Sequence, residues 1–243
     1  MLQIEHFSKI YAGEKRAVDY LSLTVRKGEI FGFIGHNGAG KTTTLRSIAG
    51  ILDFEEGVIT IDGHDVQKDP VAAKQVTAFL PDNPDLYDFL SGIDYLNFIA
   101  DIYGISAARR EELIRKYGDP FEMTGALGSS IGSYSHGMKQ KLALISALIR
   151  EPKLLILDEP FVGLDPVAAH TVKGFLRELC DQGSAVLFST HVLEVAQKLC
   201  DRIAIIKAGK LVISGDTAEV VGNSSLEEVF LELAAKESEG GAL

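Results

Sequence analysis

Eight consecutive residues, Gly35-His36-Asn37-Gly38-Ala39-Gly40-Lys41-Thr42, fit the pattern G-x-x-x-x-G-K-[ST]. Such a run is suited to gripping a polyphosphate. A triphosphate needs many short donors converging on it. Glycines let backbone N–H groups turn inward with no Cβ in the way, and a helix opening at the end of the loop points its positive end at the anion. Lys41 supplies a full charge to the β- and γ-phosphates. The Thr42 hydroxyl can ligate Mg²⁺, and Thr43 extends the phosphate-facing set. An ordinary glycine-rich turn is the bland alternative, but it does not account for an apolar run before the loop and a helical pattern after it.

A second constellation follows far along the chain. Leu154-Leu155-Ile156-Leu157-Asp158-Glu159-Pro160 is an apolar strand that ends in two carboxylates. The strand buries its backbone and delivers both acids to the carboxyl edge of a sheet, where ligands bind in open α/β folds. Asp158 is the candidate Mg²⁺ ligand, directly or through water. Glu159, one residue on, points elsewhere and can polarise a water for in-line attack on a γ-phosphate. Asp-Glu at a strand end is by itself more often a cap or a solvated turn; the phosphate loop upstream reverses that preference.

The elements that must position these groups are legible in the apolar pattern. Residues 2–11 and 18–25 alternate apolar and polar, and residues 29–34 form a short apolar strand running into the loop. A helix is predicted over 41–50, a strand over 58–61 closed by Asp62-Gly63, and a strand over 76–80 stopped by Pro81. From Asp82 to Arg150 apolar residues recur at helical spacing, which predicts a mainly helical insertion. Strands return at 153–157 and 185–189, with helices over 167–179 and 192–199. A strand pair over 202–207 and 210–214, then an amphipathic helix from Leu226, complete the chain. A frayed Ser-Glu-Gly-Gly tail is expected after that helix. This order predicts an α/β fold with a mainly parallel core sheet, and the alternating strands at both ends point to a smaller antiparallel sheet. The whole chain reads as one domain. Residues 1–81 and 152–222 form the core that carries the phosphate loop, 82–151 a helical subdomain, and 223–243 a C-terminal helix and tail.

Composition narrows the function classes. The chain has 243 residues, with 24 Lys+Arg against 34 Asp+Glu and a formal net charge of −10. Hydrophobic residues make up 46%, which is enough to fold around a core of its own. The acidic balance disfavours nucleic acid as a partner. It also means that a phosphate site must be held by local donors, because the field of the whole molecule repels anions. Cys180 and Cys200 show no metal-ligand spacing and read as two reduced core thiols. No run reaches the roughly 18 apolar residues needed to span a bilayer, and the first residues lack the basic and apolar regions of a signal peptide.

With these motifs in hand, the chain resembles the nucleotide-binding subunit of ABC transporters over nearly its whole length. Tyr134-Ser135-His136-Gly137-Met138-Lys139-Gln140 is similar to the family's signature motif, Gly163-Leu164-Asp165-Pro166 to the loop after the metal strand, and His191 to its switch histidine. Tyr11 stands where the family stacks an aromatic on adenine. The resemblance implies a P-loop NTPase core with an N-terminal antiparallel β-subdomain and an inserted helical subdomain. It implies ATP and Mg²⁺ as ligands. Glu159, His191 and Lys41 would be the catalytic groups. Residues 35–43 and Tyr11 would bind ATP, and Thr42, Asp158 and Asp82 the metal. Ser135, Gly137 and Met138 would clamp the γ-phosphate of ATP held by a second subunit in a head-to-tail dimer, and Asp165 would organise the dimer seam. A separate transmembrane permease subunit would be the other partner, holding this chain on the cytoplasmic face of the membrane.

Two departures from the family pattern stand out. Pro81 is followed by Asp82 where the family usually has Gln, which adds negative charge beside the γ-phosphate. The signature carries His136 and Met138 where Gly and Gln are commonest, while Ser135 and Gly137 are kept. With Ser225-Leu226-Glu227-Glu228-Val229-Phe230, these features look most like the bacterial export-type branch. In the insertion, Leu86, Tyr87, Phe89, Leu90, Tyr95 and Phe98 carry two open readings: core of the helical subdomain, and a groove for a cytoplasmic helix of the permease. Two other functions compete, a soluble ABC-type ATPase acting on ribosomes or DNA and an ATP-binding regulatory subunit without turnover. One phosphate loop and no sustained heptads count against the first, and Glu159 with His191 against the second.

Overall fold

The computed structural model describes residues 1–12 and 15–240. Strands β1 (Leu2–Tyr11) and β2 (Lys15–Val25) form an antiparallel pair, with Leu2 opposite Val25 and Ile4 opposite Leu23. Strand β3 (Ile30–Ile34) is buried at every position, runs into the glycine-rich loop, and leads to α1 (Lys41–Ile48). Strands β4 (Glu56–Ile61) and β5 (His64–Asp65) extend the first pair, giving a four-stranded sheet in the order β2-β1-β4-β5. A short helix α2 (Pro70–Gln75) precedes β6 (Thr77–Leu80).

Between β6 and the next strand lie α3 (Gly92–Ile102), α4 (Ala107–Gly118) and α5 (His136–Leu148). Ser91, Ser106 and Ser135 cap the three helices, each accepting a backbone N–H from three residues on. The chain then alternates: β7 (Leu154–Asp158), α6 (Pro166–Asp181), β8 (Ala185–Thr190), α7 (Leu193–Leu199), β9 (Arg202–Lys207), β10 (Lys210–Asp216), α8 (Thr217–Val221) and α9 (Leu226–Gly240). Six strands form the second sheet in the order β10-β9-β3-β8-β7-β6. All pairings are parallel except β10 with β9.

The pleat of that sheet divides the core in two. Ile30, Ile34, Leu155, Leu157, Val186 and Phe188 face one apolar cluster, which they share with α3 to α6. Phe31, Phe33, Leu154, Ile156 and Leu187 face the other, together with α1 and the four-stranded sheet. A sheet covered on both faces is what makes its strands continuous apolar runs rather than alternating ones.

The α/β class, the parallel core sheet and the antiparallel N-terminal sheet agree with expectation. The strands at the C-terminal end do not join the small sheet. Strands β9 and β10 instead complete one edge of the large one. Strand β9 is buried through its four central residues, while β10 alternates because it is an edge strand with one face covered. Strand β5 and helix α2 were not read from the pattern, being too short to carry a periodic signal. Helix α9 runs to Gly240, past the point where fraying is expected at Ser238; the last part of the expected tail, 241–243, lies outside the described residues. Among the described residues no helix is long and apolar enough to cross a membrane.

Candidate functional site

Strand β3 carries the chain from the buried core to Gly35, where the loop begins. A Cβ at Gly35 would collide with the carbonyl of Ile206 on β9, so only glycine lets the loop pass under that strand. Gly40 closes the loop at φ 106° with Ala17 O only 2.6 Å from where a Cβ would sit, and it starts α1. The amide of Ala39 donates to His36 O at 3.1 Å, and that of Gly209 to Ala39 O at 2.9 Å, tying the loop to itself and to the β9–β10 turn.

Lys41 is a buried cation of the site, with 6% of its side chain exposed. Its Nζ donates to Gly35 O at 2.6 Å and His36 O at 3.3 Å and stands 3.7 Å from Glu159 Oε1. Two carbonyls and one carboxylate leave an ammonium short of negative charge in a desolvated place, which is a drive toward an anion. Beside it, Thr42 Oγ1 donates to Asp158 Oδ2 at 2.7 Å, and Ser189 Oγ donates to Asp158 Oδ1. Asp158 is 2% exposed, so these two hydroxyls and the strand end fix both oxygens.

Glu159 turns away from Asp158 because its backbone is left-handed, at φ 49°. Its N–H stays tied to β8, 3.2 Å from Ser189 O. Its Oε1 lies 2.9 Å from His191 Nδ1, one residue beyond the end of β8. Lys41, Glu159 and His191 therefore form a continuous chain of contacts. Tyr11 is 41% exposed at the end of β1, with its hydroxyl 3.3 Å from Thr43 Oγ1.

A cavity of about 810 Å³ opens in front of these groups. Tyr11, His36, Asn37, Gly38, Gly40, Lys41, Thr42, Thr43, Asp82, Asp158 and Glu159 line it. Gly35, Ala39 and His191 do not line it; His191 joins the site through its contact with Glu159. Arg16, Ala17 and Ala208 also line the cavity and were missed from sequence. Ser189 was missed as well. Its register opposite Asp158 is a property of sheet pairing, and no local motif announces it.

The remaining expected residues form a separate group. Ser135 caps α5, accepting from the Met138 amide at 3.3 Å. His136 packs against Gly163, and a Cβ at Gly137 would be 3.3 Å from Gly163 O, so the loop before α6 touches the start of α5. Asp165 accepts from the Ala168 amide at 2.8 Å and lies 3.4 Å from Lys141 Nζ. That amide, and then the Lys141 ammonium, hold its carboxyl below the usual carboxylate range. Ser135, Gly137, Met138 and Asp165 do not line the cavity of their own chain.

The donor set fits magnesium arriving with a polyphosphate. Thr42 and Asp158 offer hard oxygens 2.7 Å apart, and Asp82 lines the same cavity. Among the described residues no trio of His, Cys, Asp or Glu converges as an all-protein cage. Magnesium commonly takes one or two protein oxygens and completes its shell with phosphates and water. The apolar residues of the insertion divide: Leu86, Leu90 and Tyr95 pack against the core, while Tyr87, Phe89 and Phe98 are exposed, with the Tyr87 ring 5.9 Å from Phe89 and 6.1 Å from Phe98.

Comparison with known proteins gives a consistent result. A family model described as ABC transporter matches residues 18–162, which is more than half of the chain. An uncharacterized ABC transporter ATP-binding protein, YhcH of Bacillus subtilis (strain 168), is 37% identical over 214 residues, covering 87% of this chain and 68% of that one. The ABC transporter ATP-binding protein NatA of the same organism is 35% identical over 223 residues, covering 88% of this chain and 89% of the relative. A solved structure described as the ATP binding subunit of an ABC transporter superposes with a TM-score of 0.92 at 32% identity, over 96% of this chain and 99% of that one.

Proposed function

This chain belongs to the ABC transporter family as an ATP-binding subunit that hydrolyses ATP to power a separate permease, and from that premise we propose how its own residues divide the work. Residues 35–43 hold the phosphates of ATP through backbone amides, with Lys41 on the β- and γ-phosphates and Tyr11 stacked on adenine. Glu159 orients a water in line with the γ-phosphate and takes its proton as the new P–O bond forms and the bond to the β-phosphate oxygen breaks. Lys41 stabilises the charge that develops on the leaving oxygens. His191 holds Glu159 in place and reaches the γ-phosphate. Magnesium, when bound through Thr42 and Asp158 with Asp82 nearby, neutralises phosphate charge and polarises the phosphoryl oxygens.

Ser135, Gly137 and Met138 grip the γ-phosphate of ATP bound by a second copy, and Asp165 shapes the seam between the copies. Their absence from the lining of their own chain's cavity supports this. Two ATPs then hold the dimer closed, and hydrolysis lets it part. The exposed Tyr87, Phe89 and Phe98 are the surface offered to the permease, through which the chain sits on the cytoplasmic face of the membrane. Pro81-Asp82 and the Ser225–Phe230 segment favour export as the direction.

The observation that carries this reading is the buried Lys41, held by two loop carbonyls 3.7 Å from Glu159 at the edge of the 810 Å³ cavity. The test is isothermal calorimetry with magnesium and ATP on the wild-type chain and on Lys41→Ala. The expected result is saturable uptake by the wild type and its loss in the variant. Identical uptake by the two, or none by the wild type, sinks the reading.

A further inference from the structure

His36 is tied on two sides. Its carbonyl accepts from the Ala39 amide at 3.1 Å and from Lys41 Nζ at 3.3 Å, so its backbone is part of the cradle that holds the phosphate-binding lysine. Its ring leaves the loop and meets the ring of Phe230 on α9, with centroids 4.7 Å apart and planes at 65°. Such an edge-on pair adds directional attraction beyond the area it covers. Ile205, Val212 and Leu233, together with Lys207, line the space around this pair. His36 and the next two residues of the loop, Asn37 and Gly38, are all exposed; the Phe230 ring is an aromatic contact of His36, whereas a Cβ on Gly38 would meet nothing within 4 Å.

Helix α9 is positioned firmly enough to act as an anchor. Ser225 Oγ accepts from the Glu228 amide at 3.2 Å while Glu228 Oε2 accepts from the Ser225 amide at 2.8 Å, a reciprocal cap that fixes where the helix starts. Leu226 is fully buried, and its N–H donates to Gln197 Oε1 on α7 at 2.9 Å. Phe230 and Leu233 pack against the larger core cluster.

We propose that Phe230 is a positioning residue for nucleotide uptake: its ring, carried by α9, holds His36 and thereby the carbonyl on which Lys41 rests, so that ATP binding and the docking of α9 are coupled. This rests on the reading of residues 35–43 as an ATP site. The coupling is reciprocal, because whatever α9 contributes to ATP affinity, ATP returns to the docking of α9. The helix touches no reacting atom and reaches the site only through one of the carbonyls behind Lys41, so it is expected to move affinity more than the chemical step.

The experiment measures ATP affinity by calorimetry and steady-state hydrolysis for the wild type, Phe230→Ala, Phe230→Leu, Phe230→Tyr, His36→Ala and the Phe230→Ala/His36→Ala pair. Phe230→Ala is expected to raise Kd and KM about fivefold, equivalent to about 1 kcal/mol, with kcat within about twofold. Phe230→Tyr keeps the ring and restores affinity. Phe230→Leu keeps apolar volume without the ring edge and stays weakened; it carries the test if the alanine variant does not fold. In the double variant the two losses do not add. Independently, ATP slows hydrogen exchange of the amides over 226–233 in the wild type. Additive losses, a fall in kcat with unchanged KM, or exchange over 226–233 that ignores ATP overturns the proposal while leaving the ATP site standing. A wild-type chain that takes up no ATP overturns the site reading on which it rests.

Discussion

Glu159→Gln separates the two roles that one carboxylate plays at the site. Gln is isosteric and its Oε1 can still accept from His191, and the left-handed backbone at φ 49° asks no more of Gln than of Glu. What disappears is one negative charge and one base. The charge stands 3.7 Å from Lys41 Nζ. At an effective dielectric of about 20 the gross attraction is about 4.5 kcal/mol, most of it offset by the cost of keeping both groups out of water. The surplus opposes ATP twice over, by occupying Lys41 and by repelling the phosphates. Neutralising it is expected to tighten ATP about tenfold, which corresponds to about 1.4 kcal/mol. Loss of the base is expected to slow the chemical step by about 10²–10⁴-fold. Equilibrium calorimetry reads the first number and single-turnover phosphate release the second. Wild-type turnover in Glu159→Gln refutes the assigned role of Glu159. Slow turnover with weaker ATP binding keeps that role and refutes the electrostatic argument.

Other perturbations test the frame around the site. Arg150 lies over the Tyr103 ring at 3.7 Å and donates to the carbonyls of Lys74 and Thr77, and burial pulls its guanidinium below its usual range. Arg150→Met is therefore expected to cost about 2 kcal/mol in urea unfolding, and an unchanged midpoint contradicts the account. Asp62 is held below the usual carboxylate range by Lys153 at 2.5 Å and then Lys27 at 3.1 Å. The contribution of a depressed carboxylate is full above its unfolded value, 3.8, and fades as pH falls through the folded one. Asp62→Asn should lower stability by about 1 kcal/mol at neutral pH, a modest loss because both lysines are solvated. The gap to wild type should close on acidification below that value, and a gap that is flat in pH is the contrary result. Burial pushes the Cys180 thiol from 9.0 to about 12 and raises Cys200 as well. At pH 8 the Cys180 thiolate is then about a thousandfold scarcer than in a free thiol, so a thiol-specific disulfide reagent should label the folded chain only as it unfolds. Rapid labelling of the native chain counts against this burial.

The site was legible where its chemistry is contiguous. Residues 35–42 announce a phosphate cradle because glycine conformation, helix polarity and one lysine must act within a few bonds of each other. Asp158-Glu159 is legible only beside that loop, since two acids ending an apolar strand are otherwise more often a cap or a solvated turn. What stayed hidden depends on partners distant in sequence. Ser189 reaches Asp158 across a strand pairing, Arg16 enters the cavity from β2 and Ala208 from the turn between β9 and β10, and no local pattern encodes either fact. The strands at the C-terminal end were assigned to the small sheet on the alternation of β10. Alternation records only that one face is solvated, and an edge strand of either sheet meets that condition. The His36–Phe230 contact was equally unreadable, since an aromatic on an amphipathic helix looks the same whether it meets core or loop.

The twist at Glu159 carries an evolutionary consequence. A left-handed, non-glycine backbone such as this one, at φ 49°, costs on the order of 1 kcal/mol that glycine would recover, and the proposed base is carried on it. A substitution to glycine here would relieve that strain and leave a descendant that still holds nucleotide but, with the proposed base gone, no longer cleaves it. Fragility at this one peptide and turnover are inherited together.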